Sequence, residues 1–362
     1  MAFLFMDSFD HYATADMTAS GKWSSTYVVG SGASVTISAG NGRRSSQSLR
    51  ASYAGTTGCM TQALATLVPS GAGFVIGCAF RTDVTPNATT GTGILSVYDG
   101  ATAQLTLVLR NDLKLSVKRG DSTGTVLATS ASAVLALNTY VSIEFKAVID
   151  PSAGSVAVRV NGTNVIPLTT GLNTRNTANT AWSVLRVGCD ADGNNSAGSS
   201  NYCDFDDLYV LDQSGSAPLN DFLGDVRVDP RYPTGAGATT GWTPNTGANW
   251  DAVNDTAPDG DTTYVSAASS PLTDTYVTQD APVVGATIFA VQLCVNAKKS
   301  DAGTCVLAPV VRHSGADYAG TAFNPSTAYG YGIIPYATNP GTGAAWTEAG
   351  FNSAEFGIKR TA

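Results

Sequence analysis

The stretch that most constrains the fold is residues 140–168, which predicts three consecutive antiparallel strands. Apolar residues alternate with polar ones from Val141 through Phe145, and the same period of two returns over residues 156–160. Successive side chains of a strand point to opposite sides, so this period is typical of strands with one buried face. The stretch therefore predicts a β-meander.

The Asn161-Gly162 pair predicts the turn between the second and third of these strands. Both residues tolerate the positive φ that a two-residue type I′ turn requires. Such a turn folds residues 165–166 back beside residues 158–160. The register of this hairpin is therefore specified by the sequence.

The composition indicates an all-β protein. The chain has 362 residues, of which 43% are hydrophobic and only 13% charged, so there is little material for charged helix surfaces. Its 38 glycines and 15 prolines suit many short strands joined by turns. At about 150 residues per domain, the length predicts roughly two domains.

Candidate strands fill both halves of the chain. Outside the meander, those of the first half are 26–29, 34–37, 47–53, 59–65, 73–82, 93–98, 104–110, 113–118, 125–128, 182–188 and 203–211. So many short strands should pack as two sheets face to face, in a sandwich or jelly roll. Those of the second half are 224–229, 275–278, 285–295, 304–313, 329–335 and 355–359, enough for a second, smaller β-sandwich.

A domain boundary is predicted near the middle of the chain. Residues 212–219 are polar and small and include a proline, which is typical of a linker. We therefore predict a first domain over residues 1–213 and a second over residues 214–362.

Three phrases of the first half resemble laminin-G and concanavalin-A-like lectin jelly rolls. They are Phe-Lys-Ala-Val-Ile-Asp at 145–150, the strand and Asn-Gly turn at 154–162, and Asp-Phe-Asp-Asp-Leu-Tyr-Val-Leu at 204–211. The resemblance implies a concanavalin-A-like jelly roll for the first domain. It also implies that residues 204–211 form a closing strand of the sandwich.

Other phrases are similar to tailed-bacteriophage virion structural proteins. They lie at residues 5–12, 221–229, 258–264 and 346–359. In such proteins the first strand closes against the last strand of the jelly roll. The resemblance implies a virion location, assembly in the host cytoplasm, and a tail-associated, fibre or head-decoration role. It also implies other virion proteins and further copies of the chain as partners, with the second domain docking on the particle.

The charge pattern argues against nucleic acid as a partner. The net charge is −8 and the sequence pI is about 4.7, whereas neutralising phosphates requires clustered Lys and Arg. No apolar run approaches the roughly 18 residues of a membrane span. The apolar start at residues 1–6 lacks the basic region of a signal peptide, so we expect folding in a cytoplasm.

The six cysteines are widely spaced and form no C-x-x-C pair, which disfavours zinc and redox motifs. Free thiols are expected in a protein that folds in the cytoplasm. The alternative is a single disulfide between Cys294 and Cys305, which flank the loop at residues 296–303.

A catalytic centre is not expected. Jelly-roll glucanases carry Glu-x-Asp-x-Glu along one strand, and glycoside hydrolysis needs paired carboxylates. Glu144 has Ser142 and Lys146 as its neighbours on the same face, so we expect Glu144 and Lys146 to form a solvated strand face. His11 and His313 follow no nucleophile elbow and are expected in turns or at the surface. We predict a protein that is not an enzyme and needs no cofactor.

Calcium is the one metal for which ligands can be named. Asp190, Asp192 and Asn194 place oxygen atoms at alternating positions, as Ca²⁺ prefers. The segment departs from the EF-hand pattern, so a solvated Asx-rich turn is the alternative. A second cluster with the same two interpretations is Asp255, Asp259 and Asp261.

Aromatic side chains of the second half are candidates for contact with a glycan or a protein partner. Trp242, Trp250, Tyr264 and Tyr276 lie where irregular loops would project, and lectin sites stack such rings on sugar faces. Packing in a core or a protein interface is the alternative. Two functional hypotheses therefore stand: a non-enzymatic virion structural protein, and an adhesin that binds host glycans through its loops.

Overall fold

The computed structural model describes residues 3–19, 21–30, 32–53, 59–86, 91–191 and 201–362. The chain divides into two units. The first comprises Met1–Asp10 and Trp23–Val228, and the second comprises His11–Lys22 and Asp229–Ala362. Both consist mainly of antiparallel strands, which confirms the predicted all-β class.

The first unit is a jelly-roll sandwich of two sheets, as predicted. Its strands are β1 (Phe3–Asp7), β2 (Ser25–Val29), β3 (Ser34–Ser38), β4 (Ser48–Tyr53), β5 (Cys59–Thr66), β6 (Gly73–Thr82), β7 (Thr92–Asp99), β8 (Thr102–Leu109), β9 (Leu115–Arg119), β10 (Thr125–Thr129), β11 (Val141–Val148), β12 (Gly154–Val160), β13 (Thr163–Leu172), β14 (Val184–Ala191) and β15 (Asn201–Leu211). An eight-stranded sheet has the order β13-β12-β11-β6-β15-β4-β3, with β1 added on β15. A seven-stranded sheet has the order β10-β9-β8-β7-β14-β5-β2.

The predicted meander forms as strands β11, β12 and β13. Asn161 and Gly162 make the turn with φ values of 49° and 75°, which is the left-handed conformation that the sequence indicated. Val158 pairs with Phe145 on one side and with Ile166 on the other. The hairpin register predicted from the sequence is therefore confirmed.

The core of the first unit lies between the apolar inner faces of the two sheets. Phe74 packs edge-on against Phe145 at 5.0 Å and against Trp182 at 5.6 Å, measured between ring centroids. Phe80 and Phe205 pack at 5.2 Å. Burying one such side chain stabilises the fold by about 1.5–3 kcal/mol.

Strand β1 closes the eight-stranded sheet by pairing with β15, as the family resemblance implied. Met6 lies opposite Tyr209 in this pair. Next to it, the indole Nε1 of Trp23 donates a hydrogen bond of 2.9 Å to Asp7, and its ring meets that of Phe5 at 5.4 Å. Trp23 is fully buried in the first unit.

The boundary between the units differs from the predicted one at residue 213. The chain continues along the first unit as far as Val228. The Lys146 ammonium forms an ion pair of 2.9 Å with Asp221, and the Arg159 guanidinium lies 4.4 Å from the ring of Phe222. These contacts hold the segment after β15 on the first unit, although its polar composition is that of a linker.

The strand predicted at residues 224–229 does not form. Gly224 has a φ of +86°, and its N–H donates to the Glu144 carboxylate at 2.8 Å. The N–H of Val228 donates to the Asp207 carboxylate at 2.8 Å. These two N–H groups therefore donate to side chains of the first sandwich and not to the carbonyl groups of a neighbouring strand.

The second unit is a smaller β-structure of a five-stranded sheet and two ribbons. Its strands are β16 (Pro233–Thr240), β17 (Thr243–Pro244), β18 (Val265–Ser266), β19 (Leu272–Thr278), β20 (Val291–Ala297), β21 (Leu307–His313), β22 (Ala316–Ala319), β23 (Gly330–Tyr336) and β24 (Glu355–Arg360). The sheet order is β16-β19-β24-β21-β22, and the ribbons are β17-β18 and β20-β23. Two short helices, α1 (Asp16–Ala19) and α2 (Glu348–Asn352), also belong to this unit.

Two layers pack against each other in the second unit. Leu293 of ribbon β20-β23 shares a core with Val311 and Phe356 of the five-stranded sheet, and Trp346 and Phe351 complete it. Of the strand predicted at residues 285–295, only the part from Val291 onward forms, as β20. The edge strand β16 was not predicted, because its glycines and alanines carry little β-propensity.

Truncation of the central aromatic side chain should test the core of the first unit. We expect Phe145→Ala to lower the free energy of unfolding by about 3–5 kcal/mol, since it removes a fully buried ring. Urea unfolding measures this change. The control is Leu168→Ala on β13, which is 63% exposed and should change stability by less than about 0.5 kcal/mol. Equal effects of the two substitutions would contradict this core.

Candidate functional site

A row of polar side chains crosses the outer face of the seven-stranded sheet. Lys118 of β9 pairs with Thr106 of β8, Thr106 pairs with Ser96 of β7, and Ser96 pairs with Arg186 of β14. Their strand neighbours, such as Leu107, fill the core, so these four side chains point away from it. With strands about 4.8 Å apart, the row is about 14 Å long. We call these four residues the polar row.

Aromatic rings and an amide hold Arg186 in place at one end of the row. The guanidinium carbon lies 3.8 Å from the ring centroid of Tyr98 and 5.5 Å from that of Tyr27. Its Nη1 donates a hydrogen bond of 3.3 Å to Oε1 of Gln62. Burial raises the pKa of Tyr98, and the positive charge of Arg186 opposes that shift. Tyr98 is therefore a neutral phenol at physiological pH.

Two buried polar atoms of the row have no hydrogen-bond partner among the described residues. They are Oγ of Ser96 and Nε of Arg186, which face each other across a strand pair. Ser96 is 1% exposed, and a buried polar group without a partner costs about 1–3 kcal/mol. Thr106 contrasts with them, since its hydroxyl donates to the Gly120 carbonyl at 2.8 Å. Buried atoms without a partner also occur elsewhere among the described residues, for example at Glu144 Oε2 and Asp274 Oδ1.

The charge of the row is mainly positive. Lys118 lies at the end opposite Arg186, and its ammonium donates to the carbonyl of Ser122. Burial lowers the pKa of Lys118, whereas the negative charges of Asp121 and Asp190 raise it. Asp190 follows Arg186 by four residues on β14 and faces the same side.

The arrangement suits a ligand with many hydroxyl groups. Serine and threonine hydroxyls both donate and accept hydrogen bonds, and they lie between two cationic side chains and next to a tyrosine ring. Small-molecule sites generally combine such aromatic surface with a few convergent polar groups. Sugars offer the matching pattern of hydroxyls and apolar ring faces.

The eight-stranded sheet carries a buried charged group, Asp204, that is satisfied within the fold. Asp204 is fully buried between Arg50, at 2.7 Å, and Arg81, at 2.6 Å. The Arg50 guanidinium also lies 3.9 Å from the ring centroid of Tyr202. The carboxylate thus has two cationic partners, which is the arrangement a structural buried charge requires.

The expectation that Glu144 lies on a solvated strand face is wrong. Glu144 is 1% exposed, because the segment after β15 covers it. The hydroxyl of Tyr209 donates to Glu144 Oε1 at 2.5 Å, and the N–H of Gly224 donates to the same oxygen at 2.8 Å. Burial and the nearby carboxylate raise the pKa of Tyr209. Glu144 therefore fastens the segment after β15 to the sheet.

The four aromatic residues predicted to contact a ligand all lie in the second unit, with different exposures. Tyr264 is 39% exposed, and Trp242 and Trp250 are half-buried. The Trp242 Nε1 donates to the Leu272 carbonyl at 3.2 Å.

Tyr276 departs from the expectation of a projecting loop residue. It lies on β19 and is buried, and its hydroxyl donates to Asp274 at 2.7 Å. It pairs with Phe356 of β24 within the five-stranded sheet of the second unit. The other three aromatic residues remain predicted contact residues.

The predicted calcium ligands are described only in part. Asp190 is buried on β14, while Asp192 and Asn194 lie outside the described residues. In the second cluster, the Thr263 hydroxyl donates to Asp255 at 3.1 Å and to Asp259 at 2.8 Å. Within the described ranges, no group of three or more His, Cys, Asp or Glu side chains is arranged to hold a metal ion.

Asp261, the third residue of that cluster, takes other partners. It forms an ion pair with Lys298 at 2.6 Å and accepts a hydrogen bond of 2.9 Å from the Tyr329 hydroxyl. The alternative disulfide is not formed, since Cys294 and Cys305 are both free thiols.

The polar row itself was missed in the sequence. The signal was present, because Ser96, Thr106, Lys118 and Arg186 each interrupt an apolar strand at the alternate position. That alternation shows that they share an outer face. Only the strand order and register bring the four residues into one line, and neither can be derived from the separate strand patterns.

Several solved structures resemble part of the chain. The cellulose-induced protein Cip1 has a TM-score of 0.39 and 15% identity over 52% of this chain and 92% of that one. The alginate lyase AlgAT5 of polysaccharide lyase family 7 has a TM-score of 0.33 and 11% identity over 50% and 83% of the two chains. The carbohydrate-binding module CBM66 from Bacillus subtilis has a TM-score of 0.30 and 11% identity over 52% and 92%.

No protein-family model and no curated protein matches the sequence. Among the described residues, no helix is long and apolar enough to cross a membrane.

A pair of carboxyl groups on β15 predicts a pH dependence of stability. Burial and the negative charge of Asp207 raise the pKa of Asp206 to about 8. Asp206 accepts hydrogen bonds from the backbone N–H of Arg43 at 2.7 Å and from the Ser46 hydroxyl at 3.1 Å. In the unfolded chain an aspartate has a pKa of about 4, so the folded protein binds a proton more tightly.

We expect the free energy of unfolding to fall as the pH rises from about 4 to about 8, because the folded state holds a proton that the unfolded chain releases. Asp206→Asn stays neutral and should remove up to about 1.4 kcal/mol per pH unit of that slope. The control is Asp150→Asn, which should leave the slope unchanged. Hydrogen bonds from Ala153 and Ser152 lower the pKa of Asp150, so this carboxyl group stays ionised across the pH range. Urea unfolding across this pH range measures the slopes. An unchanged slope in Asp206→Asn would contradict this interpretation.

Removing the unpaired hydroxyl should not destabilise the protein. We expect Ser96→Ala to leave the free energy of unfolding unchanged or to raise it by about 1 kcal/mol, since the Ser96 Oγ forms no hydrogen bond. The matched substitution Thr106→Val in the same row removes a formed hydrogen bond and should lower stability by about 1 kcal/mol. Urea unfolding measures both changes. A larger loss for Ser96→Ala than for Thr106→Val would show that Ser96 is structural.

Proposed function

We propose that this chain is a glycan-binding protein and that the polar row is its binding site. The observation that carries the proposal is the Arg186 guanidinium, which belongs to a partly exposed residue and lies 3.8 Å from the Tyr98 ring centroid at the end of the polar row. A sugar hydroxyl accepts hydrogen bonds from a guanidinium N–H, and a sugar ring face packs against an aromatic surface.

We infer that the protein binds its ligand without cleaving it. Hydrolysis of a glycosidic bond requires two carboxyl groups about 5–9.5 Å apart. The carboxylate described on the face of the polar row is Asp190, and it lies on the same face as the cation Lys118. The two histidines, His11 and His313, belong to the second unit. This combination supports recognition rather than hydrolysis.

A structural role in a tailed-bacteriophage particle is the second candidate. It rests on the resemblance of residues 5–12, 221–229, 258–264 and 346–359 to virion proteins. Edge strand β2 adds support, because Tyr27, Val28 and Val29 are exposed there and an edge strand can pair with another chain. Contacts with further copies or with other virion proteins would use such an edge. Both roles fit one protein on the outside of a particle that meets host glycans.

The proposed site is tested with the full-length chain on a glycan array. We expect binding to a subset of glycans and a loss of at least tenfold in affinity for Arg186→Gln, equivalent to about 1.4 kcal/mol. The control is Tyr264→Ala in the second unit, which should bind normally. Thermal melting of each variant establishes that it is folded.

Normal binding by Arg186→Gln together with lost binding by Tyr264→Ala would move the site to the second unit. Absence of binding across the array would overturn the glycan-binding proposal and leave the virion structural role.

A further inference from the structure

We infer that two copies of the chain pair antiparallel along edge strand β2, around a twofold axis at Tyr27, so that their seven-stranded sheets join into one. The inference gives a place in the fold to the contact between copies that the second candidate role includes. It does not depend on the glycan site, because it follows from the properties of this edge strand alone.

Strand β2 is an exposed edge of the seven-stranded sheet. Among the described strands it pairs with β5 on one side only. All five of its residues are exposed, and the exposed fraction is 43% for Tyr27, 43% for Val28 and 42% for Val29. In an edge strand every second residue turns its N–H and C=O away from the sheet. The free side of β2 therefore offers a row of backbone hydrogen bonds to a further strand.

Other edge strands of the first unit carry features that oppose such pairing. Strand β13 contains Pro167, which lacks an N–H, and β10 has a register shift against β9 between Val126 and Ala128. Strands β1 and β3 are buried or half-buried along their length. Over its described length, β2 has no charged residue, no proline and no register shift. Folded proteins usually block an exposed edge, so this unblocked one indicates a strand that pairs with another.

The partner that fits this edge is a second copy of the same strand. Antiparallel pairing over the full length of β2 places Tyr27 opposite Tyr27, Thr26 opposite Val28 and Ser25 opposite Val29. Cross-strand pairs of aromatic and of β-branched residues stabilise a sheet. Each copy has a net charge of −8, and this uncharged edge lets two copies meet without like charges opposite each other. The twofold axis closes the association at a dimer.

The pairing places the two polar rows on the same side of the joined sheet. Ser25 lies opposite Leu64 of β5, and Leu64 lies opposite Arg186, so Ser25, Tyr27 and Arg186 share the outer face. The two Tyr27 rings then lie between two Arg186 side chains, which are five strand spacings, or about 24 Å, apart. The Debye length is about 8 Å at physiological salt, so the two guanidinium groups are screened from each other.

Sedimentation equilibrium of the full-length chain at several concentrations tests the pairing. We expect a monomer–dimer equilibrium. Val28→Lys should raise the dissociation constant at least about tenfold, because the two lysines would lie diagonally about 7–8 Å apart across the axis. The control is Val126→Lys on β10, the opposite edge of the same sheet, which is 51% exposed and should leave the dissociation constant unchanged. Thermal melting establishes that each variant is folded.

Mixing two variants tests the register. Thr26→Glu alone should also weaken the dimer, since the two carboxylates repel across the axis. A mixture of Thr26→Glu and Val28→Lys should dimerise more tightly than either variant alone, because Glu and Lys then lie directly opposite each other. The control mixture is Thr26→Glu with Val29→Lys. It should not recover the dimer, because residues 26 and 29 point to opposite faces of the sheet.

The outcomes are distinct from those of the glycan array. A wild-type chain that stays monomeric up to about 1 mM would overturn the pairing and leave the glycan site as proposed. A dimer that is unchanged in Val28→Lys would also overturn it, since the contact would then lie elsewhere. Equal recovery in the two mixtures would contradict the register centred on Tyr27.

Discussion

The burial of one apolar face on each sheet is the constraint on which the rest of the structure depends. In the first unit, rings such as Phe74 and Phe145 fill the space between the sheets, and every strand must offer alternate residues to it. The remaining alternate residues face outward by necessity. If β7 shifted by one residue, Leu95 would take the outward position of Ser96, and the Ser96 hydroxyl would face the core. The packing of the core thereby determines which polar side chains form the site.

The two outer faces of the sandwich have different roles. On the eight-stranded sheet, Asp204 pairs with Arg50 and Arg81 of the neighbouring strands. Glu144 accepts from the Tyr209 hydroxyl and from the Gly224 N–H, and so fastens the segment after β15 to the sheet. On the seven-stranded sheet, Ser96 and Arg186 retain unpaired atoms in a buried setting. Glu144 Oε2 on the other sheet is also without a partner, so the seven-stranded sheet is distinguished by the stacking of Arg186 on Tyr98 at the end of the polar row.

Much of the fold could be predicted from sequence because the relevant signals are local. Alternation over residues 73–82 and the Asn161-Gly162 turn determine strand and hairpin without reference to distant residues. The strand predicted at 224–229 failed because its hydrogen bonds go to Glu144 and Asp207, which lie far away in the chain. Residues 233–240 were missed because small residues form a strand there only through pairing with β19.

The site was harder to predict than the fold. The aromatic residues Trp242 and Tyr264 were conspicuous in an irregular segment, whereas Ser96 is a common residue in an ordinary strand. Its significance comes from its partner Arg186, ninety residues away, and from the absence of a hydrogen bond within the described fold. Strand order, which depends on the packing of the whole unit, is what brings them together.

The most direct measurement is a crystal structure of the full-length protein with a bound oligosaccharide from the array. The account predicts ligand density on the outer face of the seven-stranded sheet, at the end of the polar row beside Arg186 and Tyr98. Density against the loops around Trp242 and Tyr264, with the polar row unchanged, would contradict it.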